Sequence, residues 1–131
     1  MRRALQLVIY FDFDEEKLFE IAKEGKKLGL ELFVLDDGWF GKRNDDTSSL
    51  GDWFVDRSKL PNGLDSLVKK INGLGLRFGL WFEPEMVSPE SKLYKKHPDW
   101  CIHVKGRNRS QARSQLILDV HLRGIMIQPG W

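Results

Sequence analysis

An α/β fold, with short parallel strands covered by amphipathic helices, is predicted by three features of this sequence. Apolar runs too short for helices alternate with segments of helical periodicity. Two of the helical segments each end at a glycine and lead into an apolar run that closes on acid. The two copies of this arrangement are offset by a constant 46 residues, as Gly29 is from Gly75.

The first apolar run, Leu7 to Phe11, is read as a buried strand. Its basic and apolar start, Met1-Arg2-Arg3 and Ala4 onward, resembles a signal sequence only faintly. Gln6 interrupts it, and Asp12, Asp14, Glu15 and Glu16 follow without a small-residue cleavage site. Leu18, Ile21, Ala22, Gly25 and Leu28 then fall on one helical stripe, with the acids near the positive helix start. Gly29 suits the left-handed position that ends a helix, and Leu32 to Leu35 is the next strand, closing on Asp36-Asp37. After a long polar loop the spacing recurs in Leu64, Leu67, Val68, Ile71 and Leu74, followed by Gly75. The strand Phe78 to Phe82 closes on Glu83. A short helix is expected near Ser91 to His97, stopped by Pro98, and a last strand over Gln115 to Leu118 closes on Asp119. Acids at the C-terminal ends of parallel strands lie where α/β proteins build their sites.

The bulk properties set limits. A chain of 131 residues is one domain by length, whereas a full (β/α)8 barrel needs about 250 residues. A 41% hydrophobic and 31% charged composition is that of a globular protein. The net charge of +2 does not argue for a polyanionic partner. Cys101 is the only cysteine, so no intrachain disulfide forms and no oxidising compartment is required. No apolar stretch approaches the ~20 residues that span a bilayer. The expectation is a cytoplasmic protein with no membrane partner.

Asp36-Asp37-Gly38-Trp39 is the most informative tetrapeptide. Neighbouring strand residues point to opposite faces, so both acids face one ligand only where the strand breaks, and Gly38 supplies that break. Paired carboxylates beside indoles suit a sugar, whose hydroxyls donate to oxygen while its C–H face packs on a ring. The alternative is a polar turn in which one aspartate caps the loop and Trp39 is core. In Trp81-Phe82-Glu83-Pro84-Glu85-Met86, an extended chain puts Trp81, Glu83 and Glu85 on one face. The two glutamates would then stand roughly 6.6 Å apart along the strand and approach a sugar from one side. A retaining glycosidase needs its carboxyls about 5–5.5 Å apart across the bond, so structural roles are expected for this pair.

His103, Lys105, Arg107, Arg109 and Arg113 form a basic stretch, read as a solvated loop and not as a nucleic-acid surface. Arg113 stands apart because it precedes the last apolar run, where its donors suit a sugar hydroxyl or a carboxylate. His97, His103 and His121 show no zinc spacing with Cys101, and no glycine-rich phosphate loop follows Gly38 or Gly41. No metal and no cofactor are expected.

Longer words then become legible. Leu35-Asp36-Asp37-Gly38-Trp39-Phe40-Gly41, Ser49-Leu50-Gly51-Asp52-Trp53, Lys59-Leu60-Pro61-Asn62-Gly63-Leu64, Gly79-Leu80-Trp81-Phe82-Glu83-Pro84-Glu85-Met86-Val87-Ser88-Pro89 and His97-Pro98-Asp99-Trp100 occur in this order. Together they closely resemble the bacterial α-galactosidases of glycoside hydrolase family 36, from about Tyr10 to Asp119. The resemblance implies a partial (β/α)8 barrel, roughly the first four βα units. It also implies a retaining hydrolase that releases terminal α-linked galactose from melibiose- and raffinose-type sugars. Asp36 and Asp37 match the family's galactose-binding aspartates, Trp81 its sugar-contacting tryptophan and Arg113 its substrate-binding arginine.

The departures matter as much. The family's nucleophile lies in a Lys-Trp-Asp-Met-Asn motif, and this sequence has none. The acid/base aspartate lies further downstream, so both catalytic carboxylates are expected beyond Trp131. Asp119 matches the Leu-Asp that ends the earlier strand and is no nucleophile. Residues 1–9 and 120–131 diverge from the family, Gln6 to Ile9 replacing a segment with a substrate-facing tryptophan. The expectation is the N-terminal half of a catalytic barrel, read from a truncated or frame-shifted sequence. Such a chain would carry galactose-binding residues without turnover and would be poorly soluble or self-associate through open strand edges. A non-catalytic galactoside-binding module is the alternative.

Overall fold

The computed structural model describes residues 4–7, 11–109, 111–119 and 121. Two compact units are built from interleaved segments: Met1–Trp39 with Val55–Phe82, and Phe40–Phe54 with Glu83–Trp131.

The first unit contains the predicted parallel sheet. Strands β1 (Ala4–Leu7), β2 (Leu32–Leu35) and β3 (Arg77–Leu80) lie side by side in the order β1-β2-β3. Both pairings are parallel, with Leu7 opposite Leu35 and Leu35 opposite Leu80. The first strand was expected over Leu7 to Phe11. The observed strand starts earlier, and Val8, Ile9 and Tyr10 lie outside the described residues, as do Ser110, Val120 and the tail from Leu122.

Helix α1 (Glu15–Lys27) joins β1 to β2. Asp14 caps it by accepting the Lys17 N–H at 2.8 Å, leaving Glu15 and Glu16 in the first turn, where the helix dipole favours them. Leu18, Ala22 and Gly25 of the expected stripe are buried, but Leu28 is 73% exposed. Leu28 is the cap residue, and the left-handed Gly29 turns the chain away immediately after it. Helix α2 (Gly63–Gly73) repeats the arrangement, burying Leu67 and Ile71 and ending before Gly75 at φ 74°. Phe13, Phe33, Leu35, Trp39, Leu60 and Leu76 complete the core of this unit. Full burial of each such side chain contributes roughly 1.5–3 kcal/mol before the entropy of ordering is subtracted.

Glu15 fastens α1 to α2. Although only 6% exposed, it accepts from Lys70 Nζ at 2.6 Å, Asn62 Nδ2 at 2.9 Å and Ser66 Oγ at 3.1 Å. The Lys70 and Asn62 bonds hold its carboxyl below the ordinary glutamate value of 4.5. A carboxylate whose pKa falls on folding stabilises the fold above the unfolded-state value and loses that contribution as pH drops through the folded one. Glu15→Gln should therefore cost about 1–2 kcal/mol at neutral pH, the Lys70 end being half-exposed and screened. Urea unfolding of both proteins should show this gap closing as pH falls below the ordinary glutamate value and through the lowered folded one; a gap independent of pH would refute the ionic origin.

The second unit departs from the predicted pattern. The last apolar run does form a strand, β6 (Gln115–Ile117), but it is no fourth parallel strand. It lies between β4 (Met86–Val87) and β5 (Gln111–Ala112), antiparallel to both. The reason is local: a parallel crossover needs a dozen or more residues and usually a helix. Here Arg113 and Ser114, at φ 48° and 64°, form a two-residue turn that sends the chain straight back. Two successive positive φ values are the signature of a tight hairpin. The short helix α3 (Lys92–Lys96) is where the sequence placed it, capped by Ser91 and ended at His97, after which Pro98–Trp100 form a 3-10 turn. Val87, Cys101, Leu116 and Leu118 are buried together, with Leu93, Tyr94 and Trp100 packed on them.

Candidate functional site

Register places the key residues of the first unit. Leu35 and Leu80 are partners at the ends of β2 and β3, and the Trp81 N–H extends the ladder to the Leu35 carbonyl at 2.9 Å. Asp36 and Trp81 are the next residues on adjacent strand tips. Alternation puts both on the face opposite buried Leu35, the face shared by Val34 and Gly79. A Cβ added at Gly79 would meet Val34 Cγ2 at 3.2 Å, which confirms that these neighbours point the same way.

The strand breaks after Asp36 as the sequence required. Gly38 adopts φ 90°, and each aspartate accepts the next backbone N–H: Asp36 from Asp37 at 2.8 Å, Asp37 from Gly38 at 2.7 Å. Both acids are half-buried. Trp39 follows the core alternative, being 2% exposed. Its Nε1 donates to the Trp81 carbonyl at 3.1 Å, and its ring meets Phe82 edge-on at 5.2 Å. Trp39 thus anchors the strand end that carries Trp81.

Sequence reasoning missed Lys59. It is only 8% exposed, and its Nζ donates to the Gly38 carbonyl at 2.9 Å. The Phe13 ring lies 5.0 Å from the ammonium. Burial pushes the Lys59 pKa down, opposed by the nearby charges of Asp56, Asp37 and Asp12. The one sequence signal was a lysine within Lys59-Leu60-Pro61 at the close of the aspartate-rich loop.

Arg113 belongs to the second unit, exposed in the β5–β6 turn. The expected extended spacing of Glu83 and Glu85 is not found. The Met86 N–H donates to the Glu83 carbonyl at 3.3 Å, closing a turn with Pro84 at its second position, where the fixed proline φ favours a turn over a strand. Ile102 to Asn108, within the basic stretch, are exposed, while half-buried Arg109 bonds the Pro98 carbonyl at 3.1 Å. Among the described residues no group of three or more His, Cys, Asp or Glu is placed to hold a metal ion. No helix among them is long and apolar enough to cross a membrane.

Comparison with known proteins agrees with this geometry. The melibiase family model matches residues 7–127. The α-galactosidase AgaA of Geobacillus stearothermophilus is 67% identical over 110 residues, covering 84% of this chain and 15% of its own length. The α-galactosidase Mel36A of Lactobacillus acidophilus is 59% identical over 111 residues, covering 85% and 15%. Among solved structures, the α-galactosidase of Lactobacillus brevis superposes with a TM-score of 0.90 at 48% identity, over 95% of this chain and 17% of that one. A variant of Geobacillus stearothermophilus AgaA in complex with raffinose gives 0.87 at 59% identity, over 95% and 17%. The chain therefore spans about 15% of the length of the curated relatives it matches. With its motifs, its parallel strand tips and a family match over most of its length, this chain belongs to the melibiase family, among the α-galactosidases of glycoside hydrolase family 36.

Proposed function

We propose that this chain supplies galactose-binding residues of a retaining α-galactosidase acting on melibiose- and raffinose-type sugars in the cytoplasm. Strands β1 to β3 with α1 and α2 are the opening units of a (β/α)8 barrel. The observation that carries the reading is the register of β2 and β3, with Leu35 opposite Leu80 and the Trp81 N–H on the Leu35 carbonyl, so that Asp36 and Trp81 are the next residues of adjacent parallel strands. A carboxylate has about four acceptor positions, so it can serve a backbone N–H and sugar hydroxyls together. The Trp81 ring offers a surface for the apolar C–H face of galactose. Asp37 joins Asp36 through the Gly38 break, and Arg113 acts as a sugar-binding arginine of the second unit.

No residue of this chain takes the nucleophile or acid/base role, because the Lys-Trp-Asp-Met-Asn motif is absent from its sequence. On its own the 131-residue chain should bind galactose, hydrolyse no α-galactoside and self-associate through the β1 and β3 edges of the sheet. Titration calorimetry should give saturable heat with galactose, weakened at least about tenfold in Asp37→Ala, as expected for lost charge-assisted hydrogen bonds. No heat with the unmutated chain would overturn the binding role. Turnover of an aryl α-galactoside that Asp36→Ala abolishes would overturn the inactive one, and a monodisperse monomer by light scattering would overturn self-association.

A further inference from the structure

We propose that Lys59 is a positioning residue for the Asp36–Gly38 turn, holding both carboxylates where a galactose ring meets them. This inference rests on the reading of Asp36 and Asp37 as galactose ligands and assigns a role to a residue outside that set.

Three observations carry it. Lys59 Nζ is buried and donates at 2.9 Å to the carbonyl of Gly38, the residue at φ 90° that lets both acids leave the strand. The Lys59 backbone is fixed from both sides: its N–H donates to the Asp56 carbonyl at 3.2 Å, and its carbonyl accepts the Glu15 N–H at 3.2 Å. The Asp56 N–H in turn donates to the Trp39 carbonyl at 2.9 Å, so the segment bearing Lys59 is tied to the end of the same turn. A buried ammonium is costly unless paired, and a solvated loop would gain nothing by carrying one. Around it are the Gly38 carbonyl and the Phe13 ring, and the charges of Asp56, Asp37 and Asp12 act on it.

A second signature follows from the same burial. The Lys59 pKa is lowered from its ordinary 10.5, with desolvation as the largest cause. Between the folded value and the unfolded one, the unfolded chain binds more protons, so this group stabilises the fold progressively as pH rises. Galactose affinity should fall across that window because the ammonium donating to the Gly38 carbonyl is lost. Linkage through Lys59 acts in the opposite direction on folding, so the fall is not the chain unfolding.

The test uses the 131-residue chain, its Lys59→Met variant, which keeps the apolar stem, and Lys59→Arg, which keeps the charge. Amide exchange at Asp37 and Gly38, whose N–H groups bond the two carboxylates, reads the turn directly; galactose titration reads the site. Lys59→Met should lose protection at both amides and bind galactose at least about tenfold more weakly. Lys59→Arg should recover most of both, with affinity flat across the alkaline window where the parent's falls. Asp37 and Gly38 amides as protected in Lys59→Met as in the parent would overturn the proposal. So would parent affinity that is constant while the Lys59 side-chain resonance titrates. If the parent shows no heat with galactose, the sugar reading fails, and the two amides still decide the role of Lys59. Should Lys59→Met not fold, the pH arm on the unmutated chain decides it, read at the Asp37 and Gly38 amide shifts.

Discussion

Replacing Trp39 by alanine is expected to destabilise the first unit by about 3–5 kcal/mol, the usual cost of emptying a buried tryptophan site. The ring is 2% exposed and meets Phe82 edge-on. Its Nε1 is also a hydrogen-bond donor to the Trp81 carbonyl at 3.1 Å. Truncation removes packing and leaves a half-buried carbonyl without that donor, two costs that add. Trp39→Phe separates them by keeping most of the ring volume and deleting the N–H, and it should cost about 1–2 kcal/mol. Because Trp81 is the sugar-facing residue of the proposal, Trp39→Phe should weaken galactose binding by more than its stability loss implies. Urea unfolding of the two variants, with galactose titration, measures both effects. A Trp39→Ala protein within about 1 kcal/mol of the parent would show that the ring is not core.

Gly51→Ala should be comparably damaging in the second unit. Gly51 sits at φ +98°, and a Cβ there would lie 2.8 Å from Val87 Cγ2 and 3.2 Å from Leu93 Cβ. Val87 is fully buried, and the neighbouring Leu50 is held on both sides, its N–H donating to Ser88 Oγ at 3.1 Å and its carbonyl accepting the Ser88 N–H at 2.9 Å. Neither side of the contact has room to retreat. Backbone strain of order 1–3 kcal/mol and overpacking of order 1–3 kcal/mol together give about 2–6 kcal/mol, enough to melt a small unit of ordinary stability. Gly106 is the control, with φ +79° and nothing within 4 Å of an added Cβ. Gly106→Ala should show the backbone cost alone, about 1–2 kcal/mol. Thermal unfolding followed through tryptophan fluorescence compares the two. Equal destabilisation would mean that the Val87 contact relaxes freely.

Much of the first unit was legible because its signals are local. The stripe of α1, the Asp14 and Gly29 boundaries, the Leu32 to Leu35 strand and the break at Gly38 each depend on residues close in sequence. The 46-residue offset also foretold that β2 and β3 would end alike, and their register sets Asp36 beside Trp81. The second unit was harder to read. Gln115 to Ile117 has the apolar character of a buried strand in either direction, since an apolar run carries no mark of parallel or antiparallel pairing. Direction was set by the hairpin at Arg113-Ser114, where neither residue is the glycine or asparagine that usually announces such a turn. The Glu83–Met86 turn was signalled by Pro84, but the alternation around it suggested a strand.

By itself the sequence determined the element types, their order in the first unit and the family, because periodicity, caps and motif words are written in neighbouring residues. Only the tertiary structure decided the antiparallel sheet of the second unit, the core role of Trp39 and the burial of Lys59 against the Gly38 carbonyl. The last two depend on partners 21 and 42 positions away, Gly38 for Lys59 and Trp81 for Trp39. A side chain's exposure and its hydrogen-bond partner are properties of the space around it, which only the folded chain defines.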